Sequence, residues 1–451
     1  MKMKMKLKCF TIIALGLISS TFAFSQQEEK VDTLNVHEQR ISLLEDNLLQ
    51  VKKLKISGYM QTEWQMSQID VNGNASKDMK VGSGANAGEK ADAVANPGAY
   101  FNRFGVRRGR LKATYTDNGC TGVFYLDATE KGVVVKELYV AALDPWANIL
   151  TLKGGIFNRP FGYEIEYSSS SRESPERSRI IQALFPSERD LGGMITLQAP
   201  KTSPWNVLKL DAGLIAGNAI GVDLKSQKDF IAHLNYVNSV GNIKYGIGAS
   251  MYSGVVFNPT KKVYSMANNV FVAQGDSASN FNQSVTRQYF GFDGQFSIAS
   301  AAGLTNLRAE YIFGKQPGTS GSSDSYNNSV IGTGDTYIRN FAGGYIQLSQ
   351  DIADTKHSLT VKYDWYDPNT DVAGNNIGVA GAAGSVQTTK VDLAYSTIGF
   401  GYLYRMNTNV KFMVYYDMPV NETTSLLNKK GNDFSKTLAA NLLTIRMQYK
   451  F

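Results

Sequence analysis

Leu443-Thr444-Ile445-Arg446-Met447-Gln448-Tyr449-Lys450-Phe451 places an apolar or aromatic side chain on every odd position and a polar one between. Successive side chains of an extended strand point to opposite faces, so this stretch is a strand with one apolar and one polar side. A helix would scatter the same residues around its circumference.

The same period of two runs back through the chain. Ile56, Met60, Thr62, Trp64 and Met66 alternate with Ser57, Tyr59, Gln61, Glu63 and Gln65. Leu307, Ala309, Tyr311 and Phe313 alternate with Arg308 and Glu310, and Val410, Phe412, Val414 and Tyr416 with Lys411 and Asp417. The pattern predicts strands over 54–69, 100–117, 120–130, 133–143, 148–157, 190–199, 205–217, 229–238, 241–253, 285–299, 304–315, 336–350, 357–367, 391–405, 409–418 and 437–451. Alternation alone also suits a soluble sandwich with one buried face. The joints separate the two cases. Those after even-numbered strands are tight, as at Asn118-Gly119, Asp144-Pro145 and Ser239-Val240, while long ones (70–99, 158–189, 254–284, 316–335, 368–390) follow odd-numbered strands. Short turns at one end and long loops at the other are what outer-membrane barrels have. The expected fold is all-β, a 16-stranded antiparallel transmembrane β-barrel over 54–451.

Other features agree. No apolar run reaches the roughly 20 residues of a membrane-spanning helix, yet the chain holds 24 Tyr, 22 Phe and 42 Gly against 11 Pro. Asn72 to Ala99, Gly318 to Gly334 and Gly374 to Gly384 are rich in Gly, Ser, Asn and Ala and are expected to be solvated loops without a packed core. The terminal strand, closing on Phe451, resembles the C-terminal signature that barrel assembly machinery reads.

The N-terminus predicts export. Lys2, Lys4, Lys6 and Lys8 precede the apolar Thr11 to Ile18, and Ala23-Phe24-Ser25 offers a cleavage site before Gln26. Residues 1–25 therefore read as a cleaved signal peptide, and the expected location is the cell outer membrane. The chain has 46 Lys+Arg against 39 Asp+Glu. Since 1–25 holds four lysines and no acids, the exported chain is 42 against 39, or +3. That weak balance suggests no nucleic-acid surface. Cys9 leaves with the signal and Cys120 stays alone, so no internal disulfide is expected. Across 26–53, Leu34, Ile41 and Leu48 recur every seven residues with His37, Leu44 and Val51 between them. This reads as a short periplasmic coiled-coil-like helix or a solitary amphipathic one.

Chemistry is sparse. The three histidines, His37, His233 and His357, have no metal-ligand spacing, and neither a G-x-S-x-G elbow nor a P-loop occurs. No catalytic residue, metal or cofactor is assigned. Arginines stand out instead. Phe101 to Leu111 carries Arg103, Arg107, Arg108 and Arg110 without an acid, and guanidinium forks suit carboxylates and phosphates. Lining a pore, they would favour anions; equally, they could brace the wall against acids. Arg103 and Arg107 share one strand face and Arg108 and Arg110 the other, so all four can face inward only across a bulge. Arg159 and Arg177 complete the anion-pathway candidates, in a loop (158–190) of five arginines and six acids.

Phe104-Gly105-Val106-Arg107-Arg108-Gly109-Arg110-Leu111 resembles the early-strand motif of the porin O and P family, the phosphate-selective porins. Val135-Lys136-Glu137-Leu138-Tyr139-Val140 is similar to that family's next strand. So are Gly155-Ile156-Phe157-Asn158-Arg159-Pro160-Phe161-Gly162-Tyr163-Glu164, Glu176-Arg177-Ser178 and Phe185-Pro186-Ser187-Glu188-Arg189-Asp190-Leu191-Gly192. Arg159 stands one position later than the family's usual basic residue. The resemblance covers roughly 54–199. It implies a homotrimeric outer-membrane porin that passes small hydrophilic solutes, phosphate or other anions among them, with no cofactor. Rivals are a surface adhesin, a barrel enzyme and a hydrophobic-substrate channel.

Overall fold

The computed structural model describes residues 40–42, 52–68, 100–276, 278–325, 334–429, 432–437 and 441–451. The expected signal peptide and most of the 26–53 helix lie outside the described residues; Arg40–Ser42 and Lys52–Lys53 are helical. Asn72 to Ala99 also lies outside them.

Sixteen strands form one closed sheet: β1 (Leu54–Gln68), β2 (Tyr100–Asp117), β3 (Cys120–Thr129), β4 (Gly132–Leu143), β5 (Leu150–Asn158), β6 (Arg189–Gln198), β7 (Leu208–Ile215) and β8 (Asp229–Val240). They continue with β9 (Ile243–Phe257), β10 (Ser284–Ser300), β11 (Gly303–Gly318), β12 (Thr336–Asp351), β13 (His357–Asp367), β14 (Tyr395–Arg405), β15 (Val410–Asn421) and β16 (Leu442–Lys450). Each pairs antiparallel with its sequence neighbours, and β16 returns to β1 through Tyr59↔Lys450 to Ser67↔Leu442. Closure leaves no free sheet edge. The expected strands are these sixteen, with ends differing by five residues at most. Two starts moved for local reasons. Pro204–Val207 turns as a 3-10 helix capped by Ser203, and Lys390–Asp392 does so behind a Thr389/Asp392 capping box.

The alternation sorts as expected. Tyr59, Gln61, Glu63 and Gln65 are buried inside, while Ile56 and Met60 are at least half exposed outside. Tight turns close one end; Asn118 and Gly119 both take positive φ, as a two-residue hairpin turn requires. At the other end the long loops carry more structure than their composition predicts. Lys262–Ala267 and Val270–Asp276 form a hairpin, which joins the start of β12 and pairs with Val386–Gln387. The expectation that Gly374 to Gly384 lacks a packed core is corrected. Ile377 is fully buried among Val372, Leu393, Tyr395 and Phe434, because the rest of its own loop, the start of β14 and the loop between β15 and β16 supply the apolar surface this segment lacks.

Candidate functional site

Two bulges decide what faces the interior. Gln61 pairs with Arg108 and Thr62 with Val106, leaving Arg107 as an extra residue in β2. In β4, Tyr125 pairs with Glu137 and Leu126 with Val135, leaving Lys136 extra. An extra residue shifts the two-fold alternation by one, so two consecutive side chains can face inward. Arg103 and Arg107 thus share the interior with Arg108 and Arg110.

The segment between β5 and β6 folds into the lumen. Phe161, Ile165, Phe185, and Ile180, Ile181 and Leu184 of the short helix Arg179–Leu184 are at most 1% exposed. They pack on wall residues including Tyr252, Tyr289, Ile312, Phe341 and Tyr366. Phe185 stacks tilted on Phe161 at 4.9 Å and edge-on to Tyr289 at 5.7 Å. At about 1.5–3 kcal/mol per buried side chain, these six contribute roughly 10 kcal/mol before the cost of ordering the loop. Gly162 makes the landing possible. Its φ is +62°, and a β-carbon there would overlap the Glu310 carboxylate, which accepts from the backbone N–H of Tyr163 and Glu164.

Across the lumen the loop is held by charge. Glu176 accepts from Arg107 Nε and Nη2, both at 2.7 Å, and from Arg108 and Arg446, both at 3.0 Å. Burial alone would raise its pKa, but Arg107, Arg108 and Arg446 hold it well below the usual carboxylate range. Arg446 also pairs with Glu63 and donates to Pro175 O at 2.7 Å. Lys411 Nζ donates to Ser170 O and Arg172 O. On β13 and β11, Lys362 Nζ meets Glu164 at 2.7 Å and Arg308 meets Glu173 at 2.8 Å.

All six arginine candidates therefore have carboxylate partners. Arg103 pairs with Glu130 at 2.5 Å, Arg107 and Arg108 with Glu176, Arg110 with Asp127 at 3.2 Å, Arg159 with Asp190 at 3.2 Å, and Arg177 with Glu188. His233 sits inside and meets Asp293 at 3.0 Å.

A second set of charges borders the space the loop leaves open. Lys112 and Lys209 keep 31% and 33% of their side chains exposed. Lys153 lies over the Tyr139 and Phe157 rings at 5.0 and 5.7 Å. Glu166 of the loop is exposed and within electrostatic reach of Lys153 and Lys209. Tyr163 and Tyr167 stack beside it at 5.2 Å, with Arg308 over both rings. No sequence signal marked Lys112, Lys153 or Lys209, which sit singly on three strands, and Lys136 stood out only as part of the Val135-Lys136-Glu137 motif.

No known family's sequence profile matches the chain, and no curated protein matches it. Among solved structures, the chain is similar to OprB of Pseudomonas putida, with a TM-score of 0.52, 9% identity and coverage of 92% of this chain and 97% of that one. It also aligns with the anion-selective porin from Comamonas acidovorans at a TM-score of 0.49 and 10% identity, covering 88% and 99%. At such identities the likeness is one of fold.

Proposed function

We propose that this chain is an exported outer-membrane porin, a passive path for small hydrophilic solutes with a mild preference for anions. The observation that carries the reading is that Lys112, Lys209 and Glu166 remain in contact with solvent inside a closed barrel, beside a loop docked in its lumen. Charged groups exposed there need water, and water there is a route for polar solutes.

The exterior supports a membrane setting. On β13 to β15, the rings of His357, Tyr402, Tyr404 and Phe412 stack near the tight turns, and those of Tyr363 and Trp365 near the long loops. Exposed Leu359 and Val361 lie between. His357 and Trp365 are eight residues apart, about 26 Å along a strand and about 20 Å along a barrel axis tilted by roughly 40°. That approaches the apolar band of about 25 Å between aromatic girdles. The motifs around Arg107, Arg159 and Phe185 favour the porin O and P family, and with it a homotrimer. The test is conductance in a planar bilayer under a salt gradient. Step-like conductance with a reversal potential displaced modestly toward anions is expected; a purified, folded barrel with no conductance would overturn the reading.

A further inference from the structure

Arg172 sits on the lumen loop and is only 2% exposed, yet none of its three guanidinium nitrogens has a hydrogen-bond partner among the described residues. Such a group presents five N–H donors and no acceptor. Arg108, also 2% exposed and within electrostatic reach of Arg172, leaves its Nε without a partner among the described residues. The buried hydroxyls of Tyr59 and Ser169 adjoin without forming a hydrogen bond of ordinary geometry. Gln61 ties these groups together, accepting from Arg108 Nη1 at 2.9 Å and donating to Ser169 O at 3.1 Å. The orphaned atoms are all N–H or O–H groups able to donate.

The charge count points the same way. Around this locus stand Arg107, Arg108, Arg172 and Arg446 against Glu63 and Glu176, an excess of two positive charges. The other carboxylates near Arg172 bring their own cations: Glu164 has Lys362, and Glu188 has Arg177 and Arg189. Burial, and then Arg177, lower Arg172 to about 10, so it stays charged at neutral pH.

We infer that Arg172 and Arg108, with the hydroxyls of Ser169 and Tyr59, form a binding site for one small tetrahedral oxyanion that locks the lumen loop to β1 and β2. A tetrahedral oxyanion offers several acceptors to diverging donors and pairs with guanidinium forks; a single water accepts only two hydrogen bonds. The site lies beneath the loop, apart from the solvent-exposed Lys112, Lys209 and Glu166, and the inference does not require that the ion permeate.

The test uses the purified full-length barrel in detergent, in a buffer whose only anion is bulky and organic. Sodium sulfate or inorganic phosphate should raise its heat-induced unfolding temperature saturably at constant ionic strength. Arg172→Gln should weaken the apparent affinity roughly tenfold or more, and Ser169→Ala by roughly two- to fivefold. In ion-free buffer Arg172→Gln should be at least as stable as the parent, because a buried unpaired charge is gone. Ser169→Ala decides the matter if Arg172→Gln fails to fold. Ion chromatography of the denatured parent covers an ion carried from the cell, with one equivalent per chain supporting the site. The absence of both a thermal response and a carried ion would overturn it, and so would a response unchanged in both variants. Conductance of the same samples is the separate readout. A barrel that conducts but holds no oxyanion refutes this inference and leaves the pore reading standing.

Discussion

Glu176→Gln isolates the polar clasp that holds the loop across the lumen. The carboxylate receives four hydrogen bonds of 2.7–3.0 Å from three guanidiniums. Removing one partner of a buried ion cluster costs about 3–5 kcal/mol. Glu176 keeps 12% of its side chain exposed and Arg446 retains Glu63, so about 2–3 kcal/mol is the fitting figure here. That shifts the docking equilibrium of the clasp by roughly 30- to 150-fold. It stays well below the roughly 10 kcal/mol of apolar burial around Phe161, Ile181 and Phe185. The loop should therefore remain in the lumen while its 168–177 portion loosens. Single-channel recording should show a second, higher conductance level, and the reversal potential should move toward anions because one carboxylate is gone. Unchanged conductance, selectivity and unfolding temperature would refute the clasp. A conductance equal to that of a barrel lacking 160–187 would refute the dominance of the apolar anchor.

Gly162→Ala should lower loop docking more than the clasp variant does, since a positive φ and the Glu310 carboxylate both oppose a β-carbon; a parental conductance trace would contradict this. Deleting Arg107, the extra residue of the β2 bulge, should leave Phe104 and Leu111 facing outward and the heat-modifiable barrel intact, whereas loss of assembly would show that the bulge is needed for closure. Asp144 accepts from five backbone N–H groups, Leu150 and Ala147 foremost, which lower it to about 2. Its unfolded value is about 3.9, so the turn keeps this contribution above about pH 5 and loses it as pH falls toward 2. Amide exchange at Ile149 and Leu150 reports the change, and a carboxyl titrating near 4 would contradict it.

The wall was legible in the sequence because its signal is local. Every strand carries its period of two, and Asn118-Gly119 announces its own turn. Loop sorting by parity gave the barrel rather than a sandwich. The lumen was less legible. Its decisive contacts join residues far apart in the chain, such as Glu176 with Arg446 or Glu164 with Lys362, and no spacing rule encodes them. The parity of Arg107 against Arg108 posed the question of a bulge, but only the pairing of Gln61 and Thr62 answers it. Ile377 shows the same limit for the loops: its own segment is Gly- and Ala-rich, and the apolar partners that bury it arrive from 393–395 and 434.

Arginine count is consequently a poor guide to selectivity in this lumen. Arg103, Arg110, Arg159 and Arg177 have carboxylate partners, and such a pair acts at a distance as a dipole whose field fades well within the Debye length of about 8 Å, while Arg107 and Arg108 share Glu176 and leave the excess charge that the inferred oxyanion would meet. Lys112 is offset by Glu137 and Lys209 by Asp211 in the same way. Lys153 rests on aromatic faces, which leave its charge whole. Lys136, turned inward by its bulge near Arg110 and Arg189, makes no salt bridge among the described residues. Of the two, Lys153 lies within electrostatic reach of the exposed Glu166, and these three groups together leave one net positive charge to bias the path. Lys153→Glu removes one positive charge and adds a negative one beside Glu166, and should reverse the mild anion preference. Arg110→Gln leaves Asp127 uncompensated, a change of one charge in a side chain only 5% exposed, and should move the reversal potential less. Equal shifts in the two variants, or a larger one in Arg110→Gln, would return the selectivity to the β2 arginines.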